Sequence, residues 1–132
     1  MPHTQEMLRT HPLSIERSDA LVQGIDACFD CAQVCITCAD ACLGEPTVAN
    51  LIRCIRTNLD CAAICQATGD VLSRQVETNF ELVRSQLGAC IIACRICAEE
   101  CELHAAHMEH CRICAAACRH CEDVCRQLLT ML

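Results

Sequence analysis

The chain has 132 residues, enough for one domain with a core of its own and too few to suggest two. A formal net charge of −7 leaves nothing to neutralise a run of phosphates and argues against a nucleic-acid partner. Cysteine fills 17 positions while Trp and Tyr are absent and only Phe29 and Phe80 are aromatic, so Cys, Ala, Leu and Ile have to fill the core.

Residues 1–17 carry Pro2 and Pro12 and show no strong period, which predicts an arm, either loose or with one short docking helix. The stretch from Met1 to Ala20 is interrupted by Glu6, Arg9, Glu16, Arg17 and Asp19, so it offers neither an apolar h-region nor a twin arginine for export. Unbroken apolar runs such as Ala89 to Cys94 span six residues, against the roughly 20 needed to cross a bilayer. The expectation is a cytoplasmic protein without a transmembrane helix. Thiols stay reduced in the cytosol, and an odd number of cysteines cannot all pair within the chain, so thiolate chemistry is the default.

Beyond the arm, the cysteines fall into four groups, each predicting one helix. The first helix starts with Ser18 or Asp19 as N-cap, carries Cys28, Cys31, Cys35, Cys38 and Cys42, and ends by Gly44-Glu45-Pro46. Thr47 is placed to cap the second, which holds Cys54, Cys61 and Cys65 and runs past Gly69 to about Leu72. The polar stretch from Ser73 to Asn79 leads to a third helix from Phe80 to about His104, with Cys90, Cys94, Cys97 and Cys101. The fourth begins between Ala106 and His110, reaches nearly to Leu132, and carries Cys111, Cys114, Cys118, Cys121 and Cys125. Alternating steps of three and four, with one gap of seven in the second group, keep the cysteines of each helix on one stripe. Short connectors make neighbours antiparallel, so an all-α, up-down-up-down four-helix bundle with a cysteine-lined core is expected over residues 18–132.

A single buried cysteine is often just a small hydrophobe. Repeated on four matching stripes it is there for its chemistry, because leucine or alanine would pack a seam without the oxidation liability. Side chains at i and i+4 lie one above the other, so the pairs 31/35, 38/42, 61/65, 90/94, 97/101, 114/118 and 121/125 can each share an ion. The CxxC pairs 28/31, 35/38, 94/97, 111/114 and 118/121 link these along the seam. Tetrahedral Zn(II) with four thiolates leaves two negative charges per site, and a stack of such sites in a dry core is costly. One Cu(I) per thiolate is neutral, and soft thiolates select that ion. Iron–sulfur ligation is the rival reading, but these spacings are helical and no cysteine precedes a proline. No thiol is singled out beside a base, so an enzyme is not expected.

The two ends of such a bundle differ. Beyond the seam residues Cys42, Cys54, Cys101 and Cys111 come His104, His107, Met108 and His110, whereas the opposite end continues as Leu21, Leu72, Val83, Leu87 and Leu128. His104 and Met108 continue the register of the third helix if it persists, and His110 adjoins Cys111, so copper is expected to pass in through these three residues. His107 lies off the register, and His3, His11 and His120 are expected bystanders.

The motifs CFDCAQVCITCADAC, CAAIC, CIIACRICAEEC and HAAHMEHCRICAAACRHCEDVC resemble, in spacing and order, those of the cytosolic copper storage proteins. The resemblance covers about Ala20 to Leu129 and implies Cu(I) bound by core thiolates, assembly as a homotetramer and no enzymatic turnover. Asn58 is a departure, standing where the second seam would place a cysteine.

Overall fold

The cysteine stripes do wind into four long helices, and a computed structural model covering residues 1–132 shows how they close. The short α1 (Thr4–Arg9) precedes α2 (Ser18–Leu43), a 3-10 turn at Val48–Asn50, α3 (Ile52–Leu72), α4 (Phe80–His104) and α5 (Glu109–Thr130). Helix α2 packs on α3 and α5, and α4 packs on the same two, which makes a four-sided ring around the thiols. Thiol contacts give the directions. From α3 to α4 they run Cys54 to Cys101 and Cys65 to Cys90, and from α2 to α5 they run Cys28 to Cys125 and Cys35 to Cys114. Adjacent helices are therefore antiparallel.

The caps depart from the sequence expectation at three places. Helix α2 is preceded by Arg17 in the left-handed region (φ 56°), so Ser18 is its first helical residue, and Asp19 serves the helix dipole from within the first turn. Gly44 does end α2, yet at φ −87° it uses no left-handed freedom; its N–H donates to Ala41 O at 3.0 Å, and that of Glu45 donates to Cys42 O at 3.2 Å. Thr47 makes no side-chain cap. It leads into the 3-10 turn, and α3 begins at Ile52 after Leu51, which is wholly buried and pins the turn to the core. Asn79 behaves as a cap should, its Oδ1 accepting the Leu82 N–H at 3.0 Å.

All 17 cysteines are buried, in one core cluster with Leu21, Ile25, Leu51, Leu72, Val83, Leu87, Ile91, Val124 and Leu128. Leu21, Leu72, Val83, Leu87 and Leu128 close the end opposite the histidines. Gly24 lets that end pack, since a Cβ there would lie 3.1 Å from Leu128 and 3.4 Å from Leu72. Helix α1 lies along α2, with Leu8 buried and the Thr4 hydroxyl donating to Asp26 Oδ1 at 2.6 Å. By length and composition alone α2 is long and apolar enough to cross a bilayer, unlike the expectation drawn from unbroken runs. Half of that stretch is buried in the bundle, where its apolar face is the cysteine face.

Candidate metal centre

The helices turn their thiols toward one another across the core more than along each seam. Among the i/i+4 pairs, contact is made by 31/35 at 3.9 Å, 61/65 at 3.8 Å and 121/125 at 4.0 Å. The other close approaches join different helices, as in Cys35–Cys118 and Cys65–Cys94 at 3.6 Å, Cys31–Cys118 at 3.7 Å and Cys65–Cys90 at 3.8 Å. The pairs 38/42 and 114/118 also lie within 4.8 Å, and bundle closure, which local spacing does not describe, adds the contacts between helices.

Sets of sulfurs that lie mutually within 4.8 Å include Cys28, Cys90, Cys121, Cys125; Cys31, Cys65, Cys94, Cys121; Cys31, Cys35, Cys61, Cys118; and Cys35, Cys97, Cys114, Cys118. They overlap, because Cys31, Cys35, Cys118 and Cys121 each belong to two. Separate fourfold cages would require each shared sulfur twice over. Bridging thiolates resolve this, with fewer sulfurs per ion and less charge per ion, which suits a soft monovalent metal.

Mutual contact also sets the acidity of these groups. Hydrogen bonds from the thiols of Cys118, Cys31, Cys35 and Cys65 hold Cys61 well below the ordinary thiol range. Cys35 is pushed far up by its contacts with Cys114, Cys118 and Cys31, and Cys94 by Cys121, Cys31 and Cys61. One thiolate is stabilised only while its neighbours keep their protons to donate, so the array cannot ionise as a whole without cations between the sulfurs. Toward the mouth, burial pushes Cys42 up to about 11.

A mixed set closes the histidine end: Cys38, Cys42 and Cys111 with His110. His110 Nδ1 is 3.4 Å from Cys38 Sγ and 3.7 Å from Cys111 Sγ, while Nε2 is 3.0 Å from Glu45 Oε1. Burial pulls its pKa down, and contact with Cys38 and Glu45 outweighs that and raises it. The other two candidates at this end are placed differently. Helix α4 ends at His104, whose Nε2 lies 3.5 Å from Glu100 Oε1. The register therefore does not reach Met108, which has extended backbone (φ −134°, ψ 115°) as N-cap of α5 and packs against the core from there. Glu45 was not singled out in the sequence, since 65 residues separate it from His110 and nothing local marks it. Asn58, at the missing seam position, is fully buried among Cys54, Cys97, Cys101 and Cys114.

A four-helix bundle with facing thiols along its core and an imidazole at one end is a container for soft metal ions. The profile described as copper storage protein matches residues 17–130, and the chain belongs to that family. The copper storage protein Ccsp of Streptomyces lividans, loaded with 10 copper equivalents, is similar at 47% identity and a TM-score of 0.96, over 98% of this chain and 99% of that one. A structure of a cytosolic copper storage protein from the same organism, with five coppers, is similar at 51% identity and a TM-score of 0.85, over 86% of this chain and 95% of that one. The uncharacterized cysteine-rich protein YhjQ of Bacillus subtilis (strain 168) is 33% identical over 104 residues, 79% of this chain and 91% of that protein.

Proposed function

We propose that this protein stores and buffers Cu(I) in the cytoplasm, holding many ions per chain on its 17 core thiolates. The observation that carries this is the overlap of the thiol sets, which makes Cys31, Cys35, Cys118 and Cys121 bridging ligands in a core too dry for uncompensated charge. The cargo is released as it was taken up, so the chain turns over no substrate. Residues 18–132 form the copper-binding bundle, and residues 1–17 are an arm laid against it.

Ions pass in and out at the end bearing His104, Met108 and His110. The opposite end offers only Leu21, Leu72, Val83, Leu87 and Leu128, which hold no ligand atoms for copper. The bundle assembles as a homotetramer. An apolar groove between α3 and α4, lined by Ala63, Ile64, Ala89, Ile92 and Ile96, supplies a surface for that contact.

Anaerobic titration with Cu(I) against a competing chelator tests the function. Capacity is expected at roughly one ion per thiolate, from the neutrality of Cu(I)–thiolate pairs. Saturation after one or two ions would reduce most of the cysteines to packing. Iron and acid-labile sulfide in the protein as isolated would make it a cluster protein instead.

A further inference from the structure

The cysteine steps fail once, between Cys54 and Cys61, and the residue at the vacant step is Asn58. Its side chain has no exposure to solvent and stands between two groups of sulfurs. Its Oδ1 accepts S–H hydrogen bonds from Cys97 at 2.9 Å, Cys114 at 3.3 Å and Cys101 at 3.5 Å, and its Nδ2 donates to Cys54 Sγ at 3.9 Å.

On the plug side of this amide, thiol contacts run without a break from Cys28 and Cys121 by way of Cys125, Cys90, Cys65 and Cys61 to Cys35 and Cys114. On the mouth side, Cys54 meets Cys101 at 3.8 Å, and Cys38, Cys42 and Cys111 gather about His110. The hydrogen bonds of 4.0 Å or less that connect the two groups pass through Asn58. Around it the thiols of Cys38 and Cys101 still face Cys114, and that of Cys101 faces Cys97, so the amide narrows the thiol path between the groups to these few pairs. An amide oxygen is a hard donor and a poor ligand for Cu(I), so the α3 column lacks a rung at this level. The amide is also well suited to that place. It carries an acceptor at one end and donors at the other, so it can face thiols as it does here and, turned over, face thiolates; an aspartate would bury a charge instead.

We infer that Asn58 is a partition dividing the core into a mouth store (Cys38, Cys42, Cys54, Cys101, Cys111) and a deep store, with the missing thiolate slowing copper exchange between them. The inference rests on the storage function and the mouth proposed above. It makes Asn58 a positioning residue that sets how much copper is quickly available and how much is held back.

The test is release of copper from the fully loaded protein to excess Cu(I) chelator, followed by stopped flow. The parent is expected to show two phases, the faster carrying roughly three-tenths of the copper, since five of the 17 thiols lie on the mouth side at one ion per thiolate. Asn58→Cys restores the rung and should speed the slow phase about tenfold, the effect of removing a barrier worth one hydrogen bond, so that the phases merge. Asn58→Ser leaves the thiolate missing and should keep both phases. Circular dichroism and denaturant midpoints of the copper-free variants check that each is folded, and cysteine at this position suits a seam already built of cysteine. A single phase in the parent, two unchanged phases in Asn58→Cys, or merged phases in Asn58→Ser would each overturn the partition. Failure of the storage function would show earlier and separately, as a loading end-point of one or two ions. Failure of the mouth would show as parent-like release from His110→Ala while Asn58→Cys still merges the phases.

Discussion

His110 faces a carboxylate on one side and two sulfurs on the other. A carboxylate only accepts, so the neutral ring keeps its proton on Nε2, donates it to Glu45 and turns the Nδ1 lone pair toward Cys38 and Cys111. This is the arrangement by which an outer carboxylate orients a metal-binding imidazole. His110→Ala should slow copper uptake while leaving the end-point capacity nearly unchanged, because the thiolates that hold the ions are untouched. Glu45→Gln should have a smaller effect of the same sign, and equal rates in parent and both variants would make His110 an ordinary surface histidine. The thiols add a pH dependence. Each one that takes Cu(I) gives its proton to solvent, and burial has raised Cys42 to about 11, so binding there competes with protons throughout the neutral range. Apparent affinity should therefore rise with pH, by about tenfold per unit for each proton released. Chelator competition at two pH values reads the slope, and a flat profile would mean that the sulfurs ionise before metal arrives. His110 could be found in the sequence because it adjoins Cys111. Its orienting carboxylate could not, because only the closure of α2 onto α5 brings Glu45 there.

Helices were legible where one residue type repeats, and less so where backbone geometry decides. The stripes placed α4 at Phe80–His104 and the connector at Ser73 to Asn79 because nothing competes with the 3.6-residue period there. The starts of α2 and α3 were displaced, since burial of Leu51 and the turn at Arg17 are tertiary effects that a capping rule does not contain. Register between helices was equally hidden, and with it the cross-core sulfur contacts. Two glycines inside helices show how packing overrides propensity. A Cβ at Gly69 would fall 2.6 Å from the Phe29 ring, which packs against the core, whereas one at Gly88 meets nothing within 4 Å. Replacing either glycine with alanine gains about 0.5–1 kcal/mol of helix propensity. At Gly69 the overpacking costs about 1–3 kcal/mol and outweighs that gain. Gly88→Ala should therefore raise the denaturant midpoint of the copper-free protein and Gly69→Ala should lower it. Shifts of the same sign would show that the ring of Phe29 moves aside freely.

At the scale of the whole molecule, the question is whether copper builds the bundle or fills one already built. Neutral thiols behave as small apolar groups, and here they join leucine, isoleucine, valine and alanine in one continuous core. No buried side-chain nitrogen or oxygen lacks a hydrogen-bond partner, so the core carries no polar debt that a metal would have to settle. Asn58, Thr68 and Glu122 are the polar side chains most deeply involved, and each is bonded within the protein: Asn58 to thiols, Thr68 to Ile64 O and Gln86, and Glu122 to Arg119 and Arg126. The leucine end closes the bundle without any ligand atom. The copper-free protein is therefore expected to be helical and to unfold cooperatively under reducing conditions. Copper should add to that stability, because an ion that binds only the folded chain stabilises it by about 2.7 kcal/mol at a free concentration one hundred times its dissociation constant. Circular dichroism melts would show a high Tm when loaded, a lower but distinct Tm after a strong Cu(I) chelator, and the loaded value again on reloading. A chain that loses its helices when copper is removed would show instead that binding and folding are one event, as in small zinc domains.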